Sequence, residues 1–154
     1  MKLRIEIDPE GAEEIVIRAK TFDESVTRLQ EAISRFTAEQ GQLAIFDGDR
    51  EVFLNLQDLL FFETYDGHLY AHTARECFVC RKKLYDLEDQ LPRTFARASK
   101  ACLVNTARIS GLSRSLTGVT EVSFYGTEKT ITISRMYYHS VRDLIEATRL
   151  NIKG

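Results

Sequence analysis

Two short clusters carry the chemistry most open to a ligand: Ser99-Lys100, with Arg97 just before it, and Ser134-Arg135, with Tyr138 just after it. Gly67-His68 forms a third, and Arg114 stands alone between them. Long cations beside small hydroxyls at the edges of β-type segments suit nucleic acid. Arg or Lys reaches guanine O6 and N7 in the major groove, while hydroxyls and backbone amides near a helix start hold phosphate. The competing interpretation is that these cations decorate a solvated face. Charge distribution bears on the choice. From Arg93 to Arg142 there are eight Lys and Arg against Glu121 and Glu128, whereas residues 1–66 hold 7 Lys and Arg and 15 Asp and Glu. The chain's net charge of -2 hides a basic stretch able to hold a polyanion.

Other chemistries find weaker support. No glycine-rich loop follows a strand and opens a helix, and no serine sits in a nucleophile elbow, so the expectation is no enzyme. Cys77-Phe-Val-Cys80 has the spacing of a zinc or redox half-site. It also alternates as a strand, which sends the two sulfurs to opposite faces and makes small core residues of them. Cys102, His68 and His72 complete no ligand set at comparable spacing. No cofactor or metal is expected. No apolar run approaches the ~18 residues of a membrane span, and the first residues alternate where a signal peptide would be continuously apolar, so the expected location is the cytoplasm.

The elements that must position these residues fall into two parts. Over 1–42, Leu3, Ile5 and Ile7 alternate, Asp8-Pro9-Glu10-Gly11 has turn chemistry, and Ile15 and Ile17 alternate again, predicting a hairpin. A capping box over Thr21–Glu24 then opens a helix striped by Phe22, Val26, Leu29, Ile33 and Phe36, ending near Gln40-Gly41. This small β-β-α unit should bury its stripe on the rest of the chain or on a second copy. From 43 to 154 the texture is short strands and turns: 43–46, 51–56, 58–63, 69–73, 77–81, 95–104, 109–112, 121–125 and 130–134. A short helix through Leu84, Leu87 and Leu91 interrupts them, and Val141, Leu144, Ile145 and Thr148 stripe a last one. The fold class is mostly β (α+β), a multi-stranded antiparallel domain with short helices behind a β-β-α unit.

Order and spacing narrow the function. Asp58-Leu-Leu-Phe-Phe-Glu63, Leu84-Tyr-Asp-Leu-Glu88, Phe95-Ala-Arg97 through Leu103-Val-Asn105, and Ile133-Ser-Arg135-Met-Tyr137 together resemble the LytTR family of bacterial DNA-binding domains over about residues 43–148. The resemblance implies an antiparallel β fold that enters successive major grooves with loops, not with a recognition helix. It implies base contacts from Gly67 or His68, from Ser99-Lys100 and from Arg135 beside Ser134. Arg97, Arg114 and Tyr138 are then suited to phosphate or to local support, and Asn105 to closing a turn. Some members carry Asn at the second position. Lys100 there should change the preferred base, because Lys only donates while Asn also accepts.

The expectation is a sequence-specific duplex-DNA-binding transcriptional regulator, acting as a homodimer on direct repeats in a promoter. Short regulators of this kind also accompany a small membrane protein, so the acidic first unit is expected to dimerise or to contact such a partner. The alternative is a protein-interaction module whose basic half serves assembly without sequence-specific DNA binding.

Overall fold

The computed structural model describes residues 2–11, 14–39 and 41–149, with side chains given outside 34–39. The chain divides into two compact units, Met1–Ile33 and Ser34–Gly154. In the first, the turn forms as its sequence dictates: the Glu10 amide donates to the Asp8 carboxylate at 3.2 Å and the Gly11 amide to the Asp8 carbonyl at 3.2 Å. The segments on either side, 2–7 and 14–19, carry no strand, contrary to the predicted hairpin. A two-stranded ribbon is marginal without a surface to bury its apolar face against. Here Leu3, Ile5, Ile7, Ile15 and Val16 are all exposed. Helix α1 follows at Glu24–Glu39. Its cap is Asp23 and not Thr21, since the Asp23 carboxylate accepts from the Val26 amide at 3.1 Å. Phe22 therefore precedes the helix and is exposed, while Val26 of the stripe is buried. The expected Phe36 contact and the helix end at Gln40 fall outside the described atoms.

The second unit begins with hairpin β1 (Gln42–Asp47) and β2 (Arg50–Asn55). A five-stranded antiparallel sheet has the order β5-β4-β3-β7-β6, built from β3 (Leu59–Tyr65), β4 (His68–Thr73), β5 (Cys77–Cys80), β6 (Phe95–Ser99) and β7 (Cys102–Asn105). Helix α2 (Leu84–Gln90) links β5 to β6. A second sheet of β8 (Ile109–Arg114), β9 (Thr120–Phe124) and β10 (Thr130–Ile133) leads into helix α3 (Tyr138–Thr148). The segment 95–104, expected as one strand, doubles back at Lys100-Ala101, so Lys100 sits in a turn between β6 and β7.

The central sheet is buried on both faces, which explains the continuous apolar run Leu59-Leu-Phe-Phe62 in β3. Leu59 and Phe62 join one core with Leu43, Ile45, Phe78, Leu87 and Leu103, under the β1–β2 hairpin and α2. Leu60 and Phe61 join the other with Val104, Val122, Ile133, Val141 and Ile145, under the three-stranded sheet and α3. Strict alternation would group Leu59 with Phe61. A register shift between those two residues resets the faces. Asn105 closes the end of β7 as expected: buried, it donates to the Leu59 carbonyl at 2.9 Å and accepts from the Ala107 amide at 3.2 Å.

Candidate nucleic-acid interface

Register brings the expected loops to one end of the central sheet. Glu63 of β3 pairs with Cys102, and the Thr64 amide donates to the Ala101 carbonyl at 2.8 Å. The chain therefore passes the Lys100-Ala101 turn just before making its own turn at Asp66-Gly67. Asp66 and Gly67 both have positive φ, at 49° and 79°, as a two-residue hairpin turn of the I′ type requires. His68 pairs with Tyr65 at the mouth of that turn and is exposed. At β10 the Ser134 amide donates to the Ala98 carbonyl at 2.9 Å, which ties the β10–α3 turn to β6 beside Lys100. Arg135 then donates to the Thr117 carbonyl and draws in the β8–β9 loop. Gly118 has a φ of 84° and lies against this guanidinium, where a β-carbon would collide with Arg135 Nε.

The result is one groove of about 630 Å³, with Ser99, Lys100, Ser134 and Arg135 on its wall together with Val119 and Met136. Lys100 is exposed, and among the described residues its ammonium has no partner. Arg97 lies beneath the turn and does not reach outward. It pairs with Glu88 at 2.8 Å and donates to the Lys100 carbonyl at 2.6 Å, so it holds the turn. Ser99 accepts from the Ala101 amide at 3.2 Å and shapes the same turn. Arg114 ends β8 with its guanidinium carbon 4.5 Å from the centre of the Tyr138 ring, a cation–π contact at the first residue of α3. No side chain caps that helix start.

Sequence reasoning missed the groove's apolar residues, Val119, Met136 and Tyr137, because they belong to two loops far apart along the chain. It also missed a polar cluster at the other end of the sheet. Lys129, between β9 and β10, donates to the carbonyls of Glu76 at 2.8 Å and Thr73 at 2.9 Å, and lies 3.2 Å from His72 Nδ1. An ammonium only donates, so Nδ1 accepts and the ring proton sits on Nε2, 3.6 Å from the Cys77 sulfur. Burial, reinforced by Lys129, lowers the His72 pKa to about 4. Cys77 is exposed and Cys80 buried, on opposite sides of β5 as alternation requires. Burial raises both thiols, which works against a reactive thiolate.

Known proteins bear directly on this arrangement. Residues 49–146 match the family model described as the LytTr DNA-binding domain. Two relatives, from Staphylococcus aureus strains NCTC 8325 and MW2, are each named as an uncharacterized HTH-type transcriptional regulator. Each is 26% identical over 144 residues, covering 93% of this chain and 97% of the relative. Despite that name, consecutive helices here are always separated by strands among the described residues. The fold is also similar to that of a LytTr DNA-binding domain from Bacillus cereus, with a TM-score of 0.62 and 17% identity over 69% of this chain and 97% of that one. With the family model covering most of the chain and the same β architecture around its loops, this protein belongs to the LytTR DNA-binding domain family.

Proposed function

We propose that this chain is a sequence-specific transcriptional regulator that reads the major grooves of duplex DNA through loops between its strands. The observation that carries the reading is the convergence of Lys100 and Arg135, from turns 35 residues apart, on the wall of one groove. Both then contact base edges, and His68 adds a third contact from the neighbouring turn. Arg97 acts on DNA only through Lys100, by holding its turn. Arg114 and the uncapped start of α3 contact phosphates. No described helix is long and apolar enough to cross a membrane, and the proposed setting is the cytoplasm.

The part before residue 43 serves a homodimer bound to direct repeats, or a small membrane-protein partner. Its exposed Ile15, Val16 and Phe22 support a role in contact with another chain. The same residues support the second reading, a protein-interaction module without sequence-specific DNA binding. Selection of sites from a random duplex library separates the two. The expected result is an enriched motif, relaxed at one position by Arg135→Ala and at another by Lys100→Ala, each base contact contributing about 1–3 kcal/mol of discrimination. Retention of DNA with no enriched motif would favour the interaction module.

A further inference from the structure

We propose that Met136 is a further specificity-determining residue, one that reads the 5-methyl group of a thymine beside the base contacted by Arg135. The inference rests on the sequence-specific reading above and adds to it a kind of contact that cations cannot make.

The groove between the β6–β7, β8–β9 and β10–α3 turns is bounded by Lys100 and Arg135, yet Val119, Met136 and Tyr137 line much of it with apolar surface. Met136 is 73% exposed, whereas Val119 and Tyr137 are half-buried. The turn does not depend on the Met136 side chain for its shape. Its backbone is fixed by the Tyr137 amide donating to the Ser134 carbonyl at 3.1 Å and by the Ser134 amide donating to the Ala98 carbonyl at 2.9 Å. An unbranched thioether is thus presented outward, one residue from Arg135, in a setting otherwise suited to a polyanion. An occupant that fits must be anionic at its edges and offer a small apolar group between them. Duplex DNA does so wherever thymine occurs, because only thymine carries a methyl on the major-groove edge. Adjacent bases on a strand lie about 3.4 Å apart, within the span of neighbouring side chains in one turn. Methionine suits the contact because its flexible chain adapts to a methyl of uncertain height.

The test removes the methyl and leaves the protein intact. Starting from the selected duplex, the thymines flanking the base that Arg135→Ala ceases to discriminate are replaced singly by deoxyuridine. Binding of the full chain is then measured by fluorescence polarisation. At one of these positions the substitution should weaken wild-type binding about fourfold, the worth of one buried methyl. Met136→Gln, with similar length and a polar end, should bind the thymine and deoxyuridine duplexes equally. Equal wild-type affinity for both duplexes at every flanking position overturns the inference while leaving sequence-specific binding intact. Discrimination that survives Met136→Gln also overturns it, since the methyl is then read elsewhere. A library that yields no motif at all brings down the sequence-specific reading, and this inference with it.

Discussion

Lys100 and Lys129 stand at opposite ends of the central sheet and have opposite fates. Lys129 reaches from the β9–β10 connection to the β4–β5 turn, where two carbonyls and the His72 ring accept from it. The nearby Thr127 hydroxyl donates to the Ala74 carbonyl at 3.0 Å, so this connection joins the second sheet to the first. Lys100 instead tips the β6–β7 turn with its carbonyl held by Arg97 and its ammonium in solvent. The contrast shows that a basic stretch is not the same thing as a basic surface. Arg97 is held by Glu88, and Arg142 lies 3.1 Å from Glu146. The cations free to meet a polyanion are therefore fewer than the count from Arg93 to Arg142 implies.

Substituting the two lysines tests the contrast with the largest effects. Lys100→Ala should reduce affinity for the selected site about ten- to hundredfold, as expected for the loss of one base contact of about 1–3 kcal/mol, and leave stability unchanged. Lys129→Met removes the ammonium that donates to the Thr73 and Glu76 carbonyls, and of these the Glu76 carbonyl keeps the Thr73 amide as a donor at 3.0 Å. The substitution should lower stability by about 1–3 kcal/mol with little change in DNA selectivity. Urea titration and DNA titration on both variants give a crossed pattern if the two ends are separate. Loss of selectivity in Lys129→Met at a denaturant-free concentration where it is fully folded would mean that the ends are coupled.

A smaller effect comes from the ring that Lys129 touches. His72 is stacked on Phe61 with ring centres 4.3 Å apart, and burial first, then Lys129, holds its pKa near 4 against the ordinary 6.5. The folded state thus favours the neutral ring. Above pH 6.5 both folded and unfolded chains carry it neutral and stability is flat with respect to this group. As pH falls from 6.5 towards 4 the unfolded chain takes up the proton first, and stability declines. Urea midpoints at pH 7 and pH 5 should differ in the wild type. His72→Gln should reduce that difference, with DNA selectivity at pH 7 unchanged.

How much of this was legible in the sequence depends on the range of the interaction involved. Alternation and turn residues located the strands of the second unit, and the opposite faces of Cys77 and Cys80 followed from period two. Asn105 was placed correctly because a polar residue ending an apolar strand has few other uses. What failed involved choices between near-equal local options or contacts across the fold. Asp23 and Thr21 are both good caps, and only the geometry shows which carboxylate or hydroxyl meets the Val26 amide. Nothing in Arg97-Ala-Ser-Lys100-Ala announces a turn as glycine would, so the β6–β7 hairpin was taken for one strand. The predicted first hairpin had alternation but no surface to cover it, and alternation alone does not pair strands. The choice for Arg97 between phosphate and local support stayed open, and Met136 was overlooked, for one reason: the partner of the first, Glu88, and the groove around the second come from other elements.

Arg114 sharpens the contrast with the smallest change. It shares the loop end with Lys100 but has an aromatic partner in Tyr138, so it is partly immobilised while remaining exposed. A guanidinium held flat on a ring, with its edge in solvent, suits a phosphate better than a particular base. Arg114→Ala should therefore weaken selected and random duplexes by the same factor. It should also reduce the slope of log affinity against log salt by about one, the share of a single phosphate contact. Arg114→Lys keeps the charge but loses the planar stack, so the salt slope should stay near the wild-type value while stability falls by about 0.5–1 kcal/mol. If Arg114→Ala instead changed the ratio of selected to random binding, Arg114 would be a base reader. The proposed base readers at the loop end would then include three cations and not two.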